Sequence, residues 1–146
     1  MQQKIARLIN AFADQAEWII FGHCPPALRP LINTVIRETD REIYHKELMK
    51  MHPDLAPVPH DGHPLTDAEA YLHLIEYGAG GIPLICSKSV GTGSNTFTTT
   101  CVANEYAEWH NAINAHLHDP ESSEKMGKIL QSEVHQHCLL DEVLQS

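Results

Sequence analysis

The sequence predicts an α/β domain of three layers, a mainly parallel sheet covered by helices on both faces. Two features carry that expectation. Short apolar runs of strand type alternate along the chain with helical segments, and the alternation is that of βαβ units. The 146 residues, 42% of them hydrophobic, fit one domain spanning residues 1–146 with apolar side chains enough for a proper core.

Ile5, Leu8, Ile9 and Phe12 recur at helical spacing and predict an opening helix with one buried stripe. Trp18-Ile19-Ile20-Phe21 is a continuous apolar run ended by Gly22, a buried strand, and Cys24-Pro25-Pro26 then forces a loop. A second β-leaning stretch covers Asn33 to Arg37. Asp40 is placed to cap the next helix, which runs through Tyr44, Leu48 and Met51 until Pro53 closes it. Leu55 to Val58 predicts a third strand, and Pro57, which removes a ladder donor, makes it a short or edge strand. His60 to Pro64 reads as a loop. Thr66-Asp67-Ala68-Glu69 has capping-box spacing and predicts the start of a helix through Leu72 and Ile75 towards the glycines at 78, 80 and 81.

Ile82 to Cys86 predicts the next strand. Ser87 to Thr100, rich in Gly, Ser and Thr and without periodicity, reads as a surface or active-site loop before a last strand at Cys101-Val102. Ala107, Ile113 and Leu117 mark a further helix. At Asp119-Pro120 a capping residue precedes a proline suited to the first helical position, and a final helix runs to the chain end.

Composition narrows the function classes. A net charge of −9 with ten Lys and Arg is the reverse of what phosphate-dominated nucleic-acid binding needs. No apolar stretch approaches the roughly 18 residues of a membrane span. Cys24, Cys86, Cys101 and Cys138 form no CxxC pair, which speaks against a zinc ribbon or a thioredoxin-type site and for free thiols in a reducing, cytoplasmic setting. No GxGxxG follows the first strand and no GxxxxGK[ST] occurs, so an unrelated nucleotide-binding enzyme has little support.

The informative stretch is Tyr71-Leu72-His73-Leu74-Ile75-Glu76-Tyr77-Gly78-Ala79-Gly80-Gly81-Ile82-Pro83-Leu84-Ile85-Cys86-Ser87, a helix leading through small residues into a buried strand. It resembles the LLEYGACGxPVVCSD segment of bacterial GT-B glycosyltransferases. The similarity extends back through Trp18-Ile19-Ile20-Phe21-Gly22-His23-Cys24-Pro25 and Asp54-Leu55-Ala56-Pro57-Val58-Pro59. It extends forward to Asn104-Glu105-Tyr106-Ala107-Glu108-Trp109, so it covers most of the chain.

The resemblance implies the Rossmann-like, nucleotide-sugar-binding C-terminal half of a two-domain enzyme, in which the start of this helix faces the donor diphosphate and Glu76 takes the ribose hydroxyls. A carboxylate can accept two adjacent hydroxyl hydrogen bonds. Helix N-terminal N–H groups near Glu69, Ala70 and Tyr71 would hold phosphate oxygens without a dedicated cation. Glu69 also has a local task in the capping box, reaching back to the Thr66 backbone. Small residues at Gly78, Ala79, Gly80 and Gly81 would let the following strand pack close. His23, in the loop after the first strand, is a further candidate for contact with sugar or nucleotide.

Against the family pattern, the chain begins on a helix, without the usual first strand and its glycine-containing loop and without the N-terminal domain that carries acceptor binding. Glu69-Ala70-Tyr71 stands where close relatives read Lys-Ser-Asn, which removes a phosphate partner. The implied function is a domain binding a nucleoside-diphosphate sugar, with no other cofactor, that transfers the sugar to an acceptor hydroxyl when completed by an N-terminal half. No catalytic base is assigned. The alternative is a non-catalytic regulatory or binding module on a shortened version of the fold. An uncovered sheet edge predicts pairing with that N-terminal half or a homo-oligomer.

Eleven histidines raise a metal hypothesis at His60/His63, His116/His118 and His135/His137 with Cys138. Helical residues two apart point away from one another, so only His135 and Cys138 have chelating spacing. With no HExxH and no full Cys/His quartet, no metal site is assigned.

Overall fold

A computed structural model describes residues 2–37, 41–59, 64–88 and 97–145, and side chains at all of these except 2, 41, 64–69 and 138–145. The expected cap at Asp40, the loop residues His60 and His63 and most of the Gly/Ser/Thr-rich stretch lie outside the described residues. The chain is α/β, its strands short and every strand pair parallel. Its contacts gather into two compact units, Met1–His52 and Pro53–Ser146. Among the described residues no helix is long and apolar enough to cross a membrane.

In the first unit, α1 (Gln2–Ala11) precedes β1 (Ile19–Phe21), a 3-10 turn at Arg29–Leu31, β2 (Thr34–Ile36) and α2 (Arg41–Met51). The stripe read from the sequence is the buried one: Leu8, Ile9 and Phe12 are inaccessible, and Ile9 packs with Leu28 and Ile32 while Ile5, Trp18, Ile20 and Val35 close around them. β1 and β2 pair in parallel with Ile19 opposite Thr34. Asn33 fixes the entry to this pair by accepting the Trp18 N–H on its Oδ1 at 2.7 Å. The 3-10 turn was not foreseen; Pro30 within it supplies the fixed φ that suits a short tight turn. α2 ends at His52, which takes a left-handed φ of 43° just before Pro53.

The second unit runs β3 (Ala56–Val58), α3 (Pro64–Ala79), β4 (Leu84–Ser87), β5 (Thr100–Val102), α4 (Tyr106–His118) and α5 (Pro120–Gln145). The sheet order is β3-β4-β5. β3 lies at the edge and carries exposed Pro57 at its centre, the position at which a missing N–H costs least. All four residues of β4 are buried, as expected for the middle strand of a parallel sheet. β4 starts two residues later than the hydrophobic run suggests: the Ile82 N–H is spent on Tyr77 O at the end of α3, and Pro83 has no N–H, though its carbonyl already accepts the Ala56 N–H at 3.0 Å. Asp119 accepts the Ser122 N–H on its Oδ1 at 3.1 Å and Pro120 opens α5, so the predicted helix restart is present. The expected single sheet is divided in the hydrogen-bonding pattern into one of two strands and one of three.

Candidate functional site

The helix that carries the resemblance is α3. It begins at Pro64, two residues before the capping box, with proline in the first helical position where its missing N–H is harmless. Its end is a Schellman turn. Ile82 N–H donates to Tyr77 O at 3.1 Å, Gly81 N–H donates to Gly78 O at 2.9 Å, and Gly81 adopts φ 79°. Gly81 thereby reverses the chain into β4.

Two stripes of α3 have different duties. Tyr71, Leu74 and Gly78 share the stripe that packs on α5. An added Cβ at Gly78 would stand 3.0 Å from Leu130 Cγ and 3.0 Å from Val134 Cγ2, and Tyr71 Oη lies 3.3 Å from His137 Nε2. Leu74 is inaccessible, whereas Leu72, picked out by the sequence pattern, is exposed. The small residues at 78–81 therefore bring α5, not the following strand, into close approach. Gly127 of α5 sits against the Gly81 carbonyl in the same contact.

Glu76 lies on the other side of the helix, 140° around from Tyr71 at about 100° per residue. It is 8% exposed and is the only carboxylate among the described buried polar residues, the others being Ser87, His116 and Ser123. It stands three residues from the C-terminal end of α3, where the helix dipole disfavours negative charge.

The backbone donors assigned to the diphosphate are placed differently from expectation. With α3 starting at Pro64, Glu69, Ala70 and Tyr71 are its sixth to eighth residues. Only the first four N–H groups of a helix lack an intrahelical acceptor, so these three N–H groups are already committed. Ala70 is buried, and Tyr71 is occupied on the α5 side. The first-turn N–H groups of Leu65, Thr66 and Asp67 lie about 14–17 Å along the axis from Glu76, at 1.5 Å per residue. Ribose and diphosphate of one nucleotide are joined by a single C5′–O–P link and do not span that distance. His23 is exposed in the loop after β1 and belongs to the first unit, whereas the α3 residues belong to the second.

A polar cluster of residues that lie in the quoted stretches, but to which no role was given, occupies the carboxyl ends of β4 and β5. Ser87, the last residue of β4 and fully buried, donates from Oγ to Asn104 Oδ1 at 2.7 Å. Trp109 Nε1–H reaches the same oxygen at a longer 3.4 Å. The Lys88 N–H donates to Val102 O at 2.8 Å, extending the pairing one step beyond the strands, and α4 starts at Tyr106 with Glu105 as a cap that makes no side-chain hydrogen bond. Open parallel sheets hold ligands outside their carboxyl ends. α3 crosses back from β3 to β4, so its first turn is on that carboxyl side and Glu76 is towards the amino side.

His116, His118 and His137 take structural partners. His116 is buried, with Thr100 Oγ1 2.9 Å from Nε2 and Ser123 Oγ 2.7 Å from Nδ1, a bridge joining β5, α4 and α5. Burial pushes its pKa below the usual imidazole value. Either neutral tautomer suits two hydroxyls, which can each donate or accept. His118 Nδ1–H donates to Asn114 O, and the His137 ring meets Phe97 edge-on at 5.5 Å. His135 is exposed and the Cys138 side chain is outside the described residues. Among the described residues no three His, Cys, Asp or Glu side chains converge as metal ligands.

No protein-family model matches the chain, and no curated protein sequence matches it. Its α/β fold class rests on the order of its elements and the parallel pairing of its strands.

Proposed function

We propose that this chain is the nucleotide-sugar-binding domain of a glycosyltransferase, of Rossmann-like GT-B type, acting in a cytoplasmic setting. It would transfer a sugar to an acceptor hydroxyl once completed by an N-terminal half. The observation that carries the reading is Glu76. Its carboxylate is nine-tenths inaccessible and stands three residues from the C-terminal end of α3. Its place in the stretch from Tyr71 to Ser87 is the ribose-binding place of the family resembled. In this reading Glu76 receives the two ribose hydroxyls, and the diphosphate is met by groups other than the N–H donors of Glu69, Ala70 and Tyr71.

Calorimetric titration of the intact chain with a nucleoside, its diphosphate and its diphosphate sugar tests the reading. Two charge-assisted hydrogen bonds imply that Glu76→Gln weakens all three ligands about 10–100-fold. Absence of binding at millimolar ligand, or equal binding by the variant, would sink the donor-site assignment. The second reading, a non-catalytic module, is favoured by two observations: the early start of α3 at Pro64, which withdraws the phosphate-binding N–H groups, and the place of Glu76 towards the amino side of the sheet, away from the carboxyl ends where open parallel sheets hold ligands.

A further inference from the structure

Cys86 and Cys101 are register partners on the adjacent parallel strands β4 and β5. Such partners point to the same face of the sheet, and neighbouring strands run about 4.8 Å apart. That separation falls inside the roughly 4.4–6.8 Å between Cα atoms that a disulfide bridges. The two thiols share a hydroxyl. Thr99 Oγ1 lies 3.4 Å from Cys101 Sγ, and the same side chain tempers the rise of the Cys86 pKa. Access differs sharply: Cys86 is fully buried, Cys101 is exposed, and both carry free thiols. Burial pushes the Cys86 thiol up to about 12, with Cys101 adding to the rise and Thr99 opposing it.

We propose that Cys86 and Cys101 form a dithiol–disulfide redox site that exchanges with small disulfides of the glutathione type. Cys101 is the thiol that solvent reaches. Its thiolate attacks one sulfur of oxidised glutathione, a mixed disulfide forms on Cys101, and the first glutathione thiolate leaves and takes up a proton. Cys86 then gives its proton to water, and its thiolate attacks the Cys101 sulfur and expels the second glutathione thiolate, which is protonated in turn. Two protein thiols are oxidised to one disulfide, and one glutathione disulfide is reduced to two thiols. The new bond closes a ring around the stretch from Ser87 to Thr100, next to the Ser87–Asn104 hydrogen bond. Burial keeps Cys86 protonated near neutral pH, so closure is slow there and accelerates as pH rises.

The test uses the full chain carrying Cys24→Ser and Cys138→Ser, incubated in glutathione redox buffer and followed by intact mass and non-reducing peptide mapping. The expected course is a glutathione adduct on Cys101, then its loss to a species about 2 Da lighter than the dithiol with an 86–101 linked peptide. Closure should run faster at pH 9 than at pH 8. Adding Cys86→Ala should leave the adduct standing on Cys101. Should that buried replacement fail to fold, Cys101→Ser, at an exposed position, supplies the readout by losing both adduct and closure. A Cys101 adduct that persists through hours at pH 9 with no 86–101 link overturns the proposal.

Discussion

Gly127→Ala should destabilise the second unit even though alanine is the better helix former. Gly127 is the eighth residue of α5, and a Cβ built on it would overlap the Gly81 carbonyl oxygen and stand 3.0 Å from Pro83 Cδ and 3.1 Å from the Gly81 carbonyl carbon. These obstacles are backbone and a proline ring, which cannot turn away as a side chain can. Gly81 is pinned by its φ of 79° and by its N–H donating to Gly78 O, and the next N–H, of Ile82, is bonded to Tyr77 O. Helix propensity gains about 1 kcal/mol on replacing Gly by Ala. Overpacking costs about 1–3 kcal/mol, here towards the upper end, and shifting the turn weakens two hydrogen bonds worth about 1 kcal/mol each. The net loss is about 2–4 kcal/mol, read as a lower urea midpoint at unchanged slope. Ser132→Ala, at an exposed position of the same helix, serves as the control and should stay within about 0.5 kcal/mol of the parent. A Gly127→Ala protein as stable as the parent would refute the close contact between α5 and the α3–β4 turn.

His116 should make stability pH-dependent in a defined direction. Its folded pKa is depressed by burial, so below the unfolded value of about 6.5 the unfolded chain binds the extra proton more readily. Its contribution is therefore complete above about pH 6.5 and is lost as pH falls from there through the folded pKa. Denaturation of the parent and His116→Gln between pH 5 and 8 should give curves whose difference shrinks towards acid; a constant difference would contradict the burial argument. Asn104→Ala removes one oxygen that serves both Ser87 and Trp109, and should cost about 1–3 kcal/mol in urea unfolding. The loss should be smaller when Ser87→Ala is already present, and simple additivity in that double-mutant cycle would show the pair to be uncoupled.

Much of the element order was legible because each element has a local physical cause. The α1 stripe, the Gly22 stop after β1, the edge character given to β3 by Pro57 and the Asp119-Pro120 restart all follow from single-residue preferences and periodicity. What depended on tertiary packing was not legible. Leu72 and Ile75 mark α3 as a helix, but which of its faces is buried was not legible: α5 selects Leu74 and Gly78, because the approach of a second helix rewards a missing side chain that no hydrophobic pattern records. The start of α3 moved to Pro64 since a proline at the first position competes with a capping box two residues on. The Ser87–Asn104–Trp109 cluster joins residues 17 and 5 apart in sequence, and the signal that could have found it was topological: both Ser87 and Asn104 follow the carboxyl ends of predicted strands.

The same boundary at Pro64 bears on the two functional readings. A helix that began near Glu69 would place free N–H groups about 8–10 Å from Glu76, a span that one nucleotide covers. A helix that begins at Pro64 moves those donors to about 14–17 Å and leaves the carboxylate without a phosphate cradle on the same element. The two geometries differ in how affinity divides between ribose and phosphate. With a cradle, a diphosphate gains charge-assisted hydrogen bonds that its nucleoside lacks, and binds more tightly by a factor of ten or more by the usual worth of such bonds, about 1.5–3 kcal/mol each. Without one, in a chain of net charge −9, the phosphates add little and meet a repulsive field. Comparison of nucleoside and diphosphate in the titration that tests Glu76 therefore does more than detect binding. Tighter binding of the diphosphate would require phosphate contacts from elsewhere in the chain. Equal binding would place recognition on Glu76 and the ribose alone, the pattern expected of a domain that has kept the fold and lost the transferase step.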